Sequence, residues 1–225
     1  MLKAGWILDL GFCEYEKSLR IQKRLHQLRV EAKIPDTLIL VEHPAVFTLG
    51  KSGRTDNLLV APEFLTARGI KIYRIERGGD ITFHGPGQIV GYPIFYIKDT
   101  LAGIRAMIER LELLIILTLN NFGIEAKVLP KMVGVWVGGE KIASIGLAVK
   151  SWVSFHGFAL NVATDLSNFD LIRPCGLSNI KMTSLERVLK KQINLNEVKE
   201  RIIFNLPQVF NKKFLVKDEL LELTS

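Results

Sequence analysis

The segment RGGDITFHGPGQ, residues 77–88, contains five glycine or proline residues among its twelve. Glycine lets a backbone approach a ligand where a Cβ would clash, and proline fixes the path of a loop. The segment therefore predicts one wall of a binding site, and the alternative is a pair of ordinary turns joined by a short strand. The polar side chains of the segment offer hydrogen-bond donors and acceptors of several kinds. They are those of Arg77, Asp80, Thr82, His84 and Gln88.

Patterns on both sides of this segment predict a mixed α/β fold. Helical spacing of apolar residues occurs near 15–32 and from Asp99 or Thr100 to about Gly123. Two later helices are predicted by a capping box over residues 183–186 and by Asn194 as an N-cap. There is no regular β-α-β repeat, so we expect a mixed β-sheet with helices packed on it rather than a doubly wound parallel sheet. Strand-like runs lie at 6–10, 37–41, 46–49, 71–75, 89–97, 134–138, 141–149 and 151–162.

Composition is typical of a globular protein. The chain has 225 residues, of which 48% are hydrophobic and 24% are charged, and no composition break marks a boundary. We therefore expect a single domain over residues 1–225. The most apolar run, 113–119, is too short for a bilayer, and the first residues lack the features of an export signal. With only two cysteines in dissimilar contexts, a reducing cytoplasm is the expected location.

A net charge of +7 and a pI near 9.4 predict acidic partners. Charge alone leaves open the choice between nucleic acid, an anionic membrane and an acidic protein. A basic nucleic-acid-binding protein is therefore one alternative, but the chain shows no ladder of aromatic and basic residues.

Metal and nucleotide chemistry receive little support from the motifs. The four histidines have no ligand spacing with the cysteines, so we expect no metal site. The sequence also contains no GxxxxGK[ST] loop, and no GxGxxG lies between a strand and a helix.

Cys175 and Lys141 are the residues best suited to chemistry. Cys175 follows Arg173-Pro174, and a nearby cation favours the nucleophilic thiolate. A buried structural thiol is the alternative, and Cys13, beside Glu14, is expected to be structural. Lys141 begins an apolar run, where a lysine normally points to solvent; if it points inward, desolvation favours its neutral form and suits it to proton transfer.

Three blocks together resemble the lipoyl(octanoyl) transferase family. They are RGGDITFHGPGQIVGYP (77–93), GVWVGGEKIASIG with HGFALNV (134–162), and TDLSNFDLIRPCGL (164–177), and they occur in the family's order. The resemblance covers about two thirds of the chain and implies the fold shared by biotin and lipoate protein ligases. It also implies that Cys175 and Lys141 form a catalytic pair. The acyl pocket that it implies consists of Arg77, Gly78, Gly79, Asp80, Ile81, Thr82, Phe83, His84, Ser144, Ile145, Gly146, Gly157, Phe158 and Ala159.

The same resemblance implies a substrate class and partners. An octanoyl group would arrive on the phosphopantetheine of acyl carrier protein, form a thioester with Cys175, and pass to a lysine of a lipoyl domain. Expected acceptors are the lipoyl domains of 2-oxoacid dehydrogenase complexes and the glycine cleavage H protein. We expect a monomer with no cofactor, no nucleic acid and no membrane partner. The nearest alternative is an ATP-dependent lipoate ligase on the same fold, although Cys175 argues against it because adenylate chemistry needs no thiol.

Overall fold

A computed structural model describes residues 4–97, 101–173 and 180–217, with only the backbone described at residues 101 and 102. The helices are α1 (Tyr15–Val30), α2 (Pro62–Thr66), α3 (Leu101–Asn120), α4 (Leu185–Leu189) and α5 (Leu195–Phe210). Two 3-10 helices lie at Thr55–Asn57 and Leu166–Leu171. The strands are β1 (Gly5–Phe12), β2 (Thr37–Glu42), β3 (Val46–Leu49), β4 (Lys71–Arg74), β5 (Ile81–His84), β6 (Gln88–Ile94), β7 (Lys127–Leu129), β8 (Met132–Val137), β9 (Glu140–Lys150), β10 (Val153–Asn161) and β11 (Phe214–Val216).

Within these described residues the strands form two mixed sheets. The large sheet has eight strands in the order β11-β1-β2-β6-β10-β9-β8-β7, and the small sheet has the order β4-β3-β5. The β1–β2, β1–β11 and β3–β4 pairs are parallel, whereas β2–β6, β6–β10, β10–β9 and β9–β8 are antiparallel. The predicted mixed sheet with packed helices is therefore confirmed.

Helices cover both faces of the large sheet. Leu38 and Leu40 of β2 belong to a core cluster that also contains residues of α3 and α5. Ile39 and Val41 lie between them in sequence and belong to a second cluster with α1. Because successive strand residues point to opposite faces, α1 lies on one face and the α3–α5 pair on the other. Among the residues that the structure describes, no helix is long and apolar enough to cross a bilayer.

The small sheet has its own apolar cluster. The Phe83 ring lies 5.3 Å from that of Phe47 and 5.6 Å from that of Phe169, measured between centroids. Ile172 and Met182 join this cluster from positions before and after residues 174–179. The cluster therefore ties both described ends around Cys175 to the small sheet.

Most predicted elements are present, and the β8–β9 hairpin forms at the predicted glycines. Gly138 and Gly139 have φ angles of +56° and +87°, the conformation that a two-residue turn of type I′ requires. Apolar periodicity did not reveal α2, β7 or β11, which have only three to five residues each.

The start of α4 differs from the predicted capping box by one residue. Ser184, not Thr183, is the N-cap, and its Oγ accepts from the Arg187 N–H at 3.3 Å. Glu186 turns away from the helix start, and its carboxylate accepts from the Ile193 N–H at 2.9 Å. The Glu186 N–H, which a Thr183 cap would satisfy, donates instead to the Val162 carbonyl at 3.0 Å.

Replacement of Ser184 by alanine tests this assignment. Loss of an N-cap acceptor costs about 1 kcal/mol of unfolding free energy. We therefore expect Ser184→Ala to lower the free energy of unfolding in urea by about that amount. Thr183→Val, which removes a hydroxyl and keeps the side-chain shape, should cost clearly less, and an equal loss in the two variants would contradict the assignment.

Candidate active site

A cavity of about 660 Å³ lies between the large sheet and the loop that precedes β5. Its walls come from that loop, from β9 and β10, and from apolar residues of α3 and β8. Thirteen of the fourteen predicted pocket residues border it, and a role for them in binding remains a prediction. They are Arg77, Gly78, Gly79, Asp80, Ile81, Thr82, His84, Ser144, Ile145, Gly146, Gly157, Phe158 and Ala159.

Phe83 is the predicted pocket residue that lies elsewhere. Its side chain is 1% exposed and packs between Phe47 and Phe169 inside the small sheet's cluster. The strand period explains this difference, since Thr82 and His84 point to the opposite face of β5 from Phe83.

Close backbone contacts hold the Arg77–Asp80 loop against β9. The Gly78 N–H donates to the Leu147 carbonyl at 2.8 Å. A Cβ on Gly146 would lie 2.9 Å from the Gly78 carbonyl oxygen, and Gly79 has a φ of +84°. Glycine is thus required here for both approach and conformation. The approach seen is between two backbone segments, and the predicted approach to a ligand stays a prediction.

The polar side chains of the same loop mostly brace the protein. The Arg77 guanidinium donates to the Thr48 carbonyl at 2.6 Å and to the Gly78 carbonyl at 3.0 Å. The Asp80 carboxylate accepts from the Ile81 N–H at 2.7 Å and from the Asn57 amide. These bonds hold the neighbouring loops in place. Both side chains therefore border the cavity and also fix the position of its wall.

Lys141 is buried beside the cavity, with 4% of its surface exposed. The β8–β9 register shifts by one residue next to it, because Val135 pairs with Ala143 whereas Trp136 pairs with Lys141. Such bulges re-aim side chains near functional sites. The Nζ atom lies 5.4 Å from the centre of the Trp136 ring.

Gly134 provides the space that the Lys141 side chain occupies. A Cβ on Gly134 would lie 2.6 Å from Cε and 3.2 Å from Nζ of Lys141. The glycine has a φ of +122°, and its N–H donates to the buried Glu112 carboxylate at 3.0 Å. The usual expectation that a lysine at a strand start faces solvent does not apply here, because this glycine opens an inward path.

Cys175 lies outside the described residues, but both flanking segments are anchored. On one side the Arg173 N–H donates to the Asn57 carbonyl at 2.8 Å. On the other side Ile180 borders the cavity, and the Lys181 carbonyl accepts from the Lys141 N–H at 2.8 Å. Cys13, by contrast, is buried in the apolar cluster of α1, and burial raises the pKa of its thiol.

Sequence reasoning missed a buried group of histidines and tyrosines at the cavity. His43 is fully buried; its Nδ1 lies 2.7 Å from the Cys13 carbonyl and its Nε2 lies 2.8 Å from the Tyr92 hydroxyl. A carbonyl only accepts, so Nδ1 carries the proton and Tyr92 donates to Nε2. Burial lowers the pKa of His43 to about 4. The signal available in the sequence was the segment Glu42-His43-Pro44, which does not indicate the neighbours of the histidine.

His156 occupies a strained position in the same group. Its φ is +55°, which is unfavourable for a residue with a Cβ, and it is 2% exposed. Its Nε2 lies 3.7 Å from the Glu76 carboxylate, and burial lowers its pKa to about 4 although Glu76 opposes the shift. Tyr15, on α1, also borders the cavity, and its ring centroid lies 5.3 Å from that of His43. One part of the cavity is therefore lined by neutral polar rings.

His84 is held by an amide. Its Nδ1 lies 2.8 Å from the Gln88 Oε1, and it is buried. Burial and the neighbouring His43 lower its pKa to about 3. The described residues contain no group of histidine, cysteine and carboxylate side chains arranged to hold a metal ion.

These pKa values predict loss of stability in mild acid. The unfolded chain binds protons near the ordinary histidine pKa of about 6.5, whereas folded His43, His84 and His156 stay neutral to about pH 4 or below. Stability is therefore fully present above about pH 6.5 and falls as the pH decreases, by up to about 1.4 kcal/mol per pH unit for each histidine. Urea unfolding at about pH 7 and about pH 5.5 measures this, and an unchanged free energy would contradict neutral burial.

Comparison with known proteins agrees with the geometry. Residues 14–206 match the lipoyl protein ligase A/B catalytic domain family. An octanoyltransferase of Syntrophobacter fumaroxidans is 46% identical over 212 residues, covering 94% of this chain and 93% of the relative. An octanoyltransferase of Dictyoglomus turgidum is 47% identical over 197 residues, covering 88% of this chain and 83% of the relative.

Solved structures share the fold at low sequence identity. A lipoate-protein ligase A bound with ATP has a TM-score of 0.80 at 16% identity, covering 98% of this chain and 92% of the other. The biotin protein ligase of Aquifex aeolicus has a TM-score of 0.52 at 12% identity, covering 94% of this chain and 70% of the other. With a family match over most of its length and relatives that are nearly half identical, the chain belongs to the lipoyl protein ligase A/B catalytic domain family, among the octanoyltransferases.

Proposed function

We propose that the protein transfers an octanoyl group from acyl carrier protein to a lysine of a lipoyl domain, through a thioester on Cys175. The observation that carries the proposal is the burial of Lys141 at the cavity, with its backbone bonded to the segment that follows Cys175. Octanoyltransferase relatives at 44–47% identity support the same reaction.

Chain length supports a meeting of Cys175 and Lys141. Cys175 stands five residues before Ile180, which borders the cavity, and five residues span at most about 18 Å. It also stands two residues after Arg173, which is bonded to Asn57. These chain lengths are compatible with the proposed approach of Cys175 to Lys141.

The first step forms the acyl-enzyme. Lys141 accepts the Cys175 proton, and the thiolate attacks the thioester carbonyl of octanoyl-acyl carrier protein. A bond forms between the Cys175 sulfur and the carbonyl carbon, the bond to the phosphopantetheine sulfur breaks, and that leaving thiolate takes the proton from Lys141.

The second step forms the amide. The ε-amine of the lipoyl-domain lysine attacks the octanoyl-Cys175 carbonyl, and its proton passes through Lys141 to the departing Cys175 sulfur. Exchange of one thioester for another is nearly isoenergetic and conversion to an amide is downhill, so the sequence of steps needs neither ATP nor a cofactor.

The environment of Lys141 suits both steps. Burial disfavours the ammonium form, whereas the face of an aromatic ring such as Trp136 within about 6 Å favours it. A group that alternately accepts and donates a proton requires both forms, and this is the role that we propose for Lys141.

The cavity suits an apolar chain. Ile145, Phe158 and Ala159 border it, and each buried methylene contributes about 0.8 kcal/mol. Acyl chains that differ by one methylene should therefore differ about fourfold in affinity.

The net charge of +7 favours acidic protein substrates, for which we propose acyl carrier protein, the lipoyl domains of 2-oxoacid dehydrogenase complexes and the glycine cleavage H protein. We further propose that the enzyme acts in the cytoplasm as a monomer.

Mass spectrometry of the protein mixed with octanoyl-acyl carrier protein, without ATP, tests the nucleophile. We expect one added octanoyl group on the wild-type protein and on Cys13→Ala, because Cys13 is buried away from the cavity. Cys175→Ala should carry none. An adduct on Cys175→Ala, or a requirement for ATP, would overturn the proposal.

Replacement of Lys141 tests the proton carrier. Lys141→Ala should reduce acyl-enzyme formation near neutral pH by about 100-fold or more, because general base catalysis typically contributes about 10²–10⁴-fold. The rate should recover partly at alkaline pH, where more of the thiol ionises unaided. Lys150→Ala, at the exposed end of the same strand, is the matched control and should acylate normally. Normal acylation of Lys141→Ala at neutral pH would rule out the assigned role.

A further inference from the structure

Asn161, at the end of β10, links the cavity wall to the backbone of Lys141. Its side chain is 1% exposed. The Nδ2 atom donates to the Thr183 carbonyl at 3.1 Å, and the Oδ1 atom accepts from the Gln88 Nε2 at 2.9 Å. The Thr183 N–H in turn donates to the Lys141 carbonyl at 2.9 Å. We propose that Asn161 is a positioning residue that holds the segment following Cys175 in register with Lys141.

This inference rests on the proposed function, because it assumes that Cys175 and Lys141 exchange a proton. Lys181 and Thr183 bond the backbone of Lys141 on its N–H and carbonyl sides respectively. These residues also end the segment through which the chain leaves Cys175. A shift of this segment along β9 would therefore change the separation of the two reacting side chains.

The hydrogen bonds that connect Thr183, Asn161, Gln88 and His84 can run in only one direction. The Thr183 carbonyl only accepts, so the Asn161 amide must present Nδ2 to it and Oδ1 to Gln88. Gln88 must then present Nε2 to Asn161 and Oε1 to His84. Neutral His84 consequently carries its proton on Nδ1, and its Nε2 is an acceptor. The Thr183 carbonyl, together with the Phe83 carbonyl that accepts from the Gln88 Nε2 at 3.3 Å, thus orients these two amides and selects the tautomer of His84, which borders the cavity.

Burial makes this arrangement difficult to rearrange. Gln88, Asn161 and Thr183 are each 2% exposed or less. Without the Asn161 amide, the Thr183 carbonyl would lose this buried partner and the Gln88 Nε2 would keep only its 3.3 Å bond to the Phe83 carbonyl. The segment that carries Thr183 would then move to find another donor. Proton transfer is sensitive to such movement, since a misplacement of about 1 Å can cost about 100-fold in rate.

The test compares Asn161→Ala with Asn205→Ala in a Cys13→Ala background, where Cys175 is the single cysteine. Asn205 is a matched control because it is 4% exposed and its amide donates to Asn121 and to the Arg201 carbonyl at 2.9 Å, between α3 and α5. Two quantities are measured: the rate of acylation by octanoyl-acyl carrier protein, and the rate of alkylation by iodoacetamide across a pH series.

We expect Asn161→Ala to acylate about 10–100-fold more slowly than the control, with KM for the octanoyl donor nearly unchanged. We also expect the pH midpoint of Cys175 alkylation to move up toward about 8.5, the value of an unassisted thiol. A structural role alone would lower stability in both asparagine variants and leave this midpoint unmoved. Asn161→Leu, which keeps a branched side chain and removes both bonds, is measured alongside in case the alanine variant does not fold.

Acylation and an alkylation midpoint equal to those of Asn205→Ala, in either folded Asn161 variant, would overturn the inference. Failure of the proposed function gives a different result. In that case Cys175→Ala retains the octanoyl adduct, or Lys141→Ala acylates normally, whatever the Asn161 variants do.

Discussion

The hydrogen bond from the Gly78 N–H to the Leu147 carbonyl joins the loop before β5 to the large sheet. It forms only because the two backbones approach so closely that a Cβ on Gly146 would lie 2.9 Å from the Gly78 carbonyl. The cavity lies beneath this contact, and Lys141 lies farther along the same strand. A similar constraint acts one strand away, where a Cβ on Gly157 would lie 2.1 Å from the Gly91 carbonyl. Backbone proximity at glycine thus sets the shape of the cavity before any side chain contributes.

The polar residues of the glycine-rich segment have divided roles. Arg77 and Asp80 bond to Thr48, Asn57 and neighbouring main chain, and they border the cavity while holding its wall in place. His84 is likewise fixed by Gln88. A buried polar group costs free energy unless it is bonded, so residues that crowd a narrow wall necessarily bond to one another. The proposed chemistry is left to Lys141 and Cys175, which come from other parts of the chain.

Local patterns predicted the elements well and their ends less well. Alternation and helical spacing located β3 and the long helices α1, α3 and α5, because each buries one face. The α4 cap is Ser184 rather than Thr183 because the Glu186 N–H bonds to the Val162 carbonyl, a contact between distant parts of the chain that no local pattern contains. The burial of Lys141 depends in the same way on Gly134, on the opposite strand.

The sequence by itself determined the mixed α/β class, the glycines of the cavity wall and the two residue types suited to acyl transfer, because these follow from conformational preference and side-chain chemistry. Tertiary structure alone decided that Lys141 points inward, that Phe83 leaves the pocket for a second cluster, and that Asn161 joins Gln88 to Thr183. It also brought together His43, His84 and His156, which are far apart in sequence, around buried tyrosines. The physical reason is that burial and hydrogen bonding act between residues that only the folded sheet brings into contact.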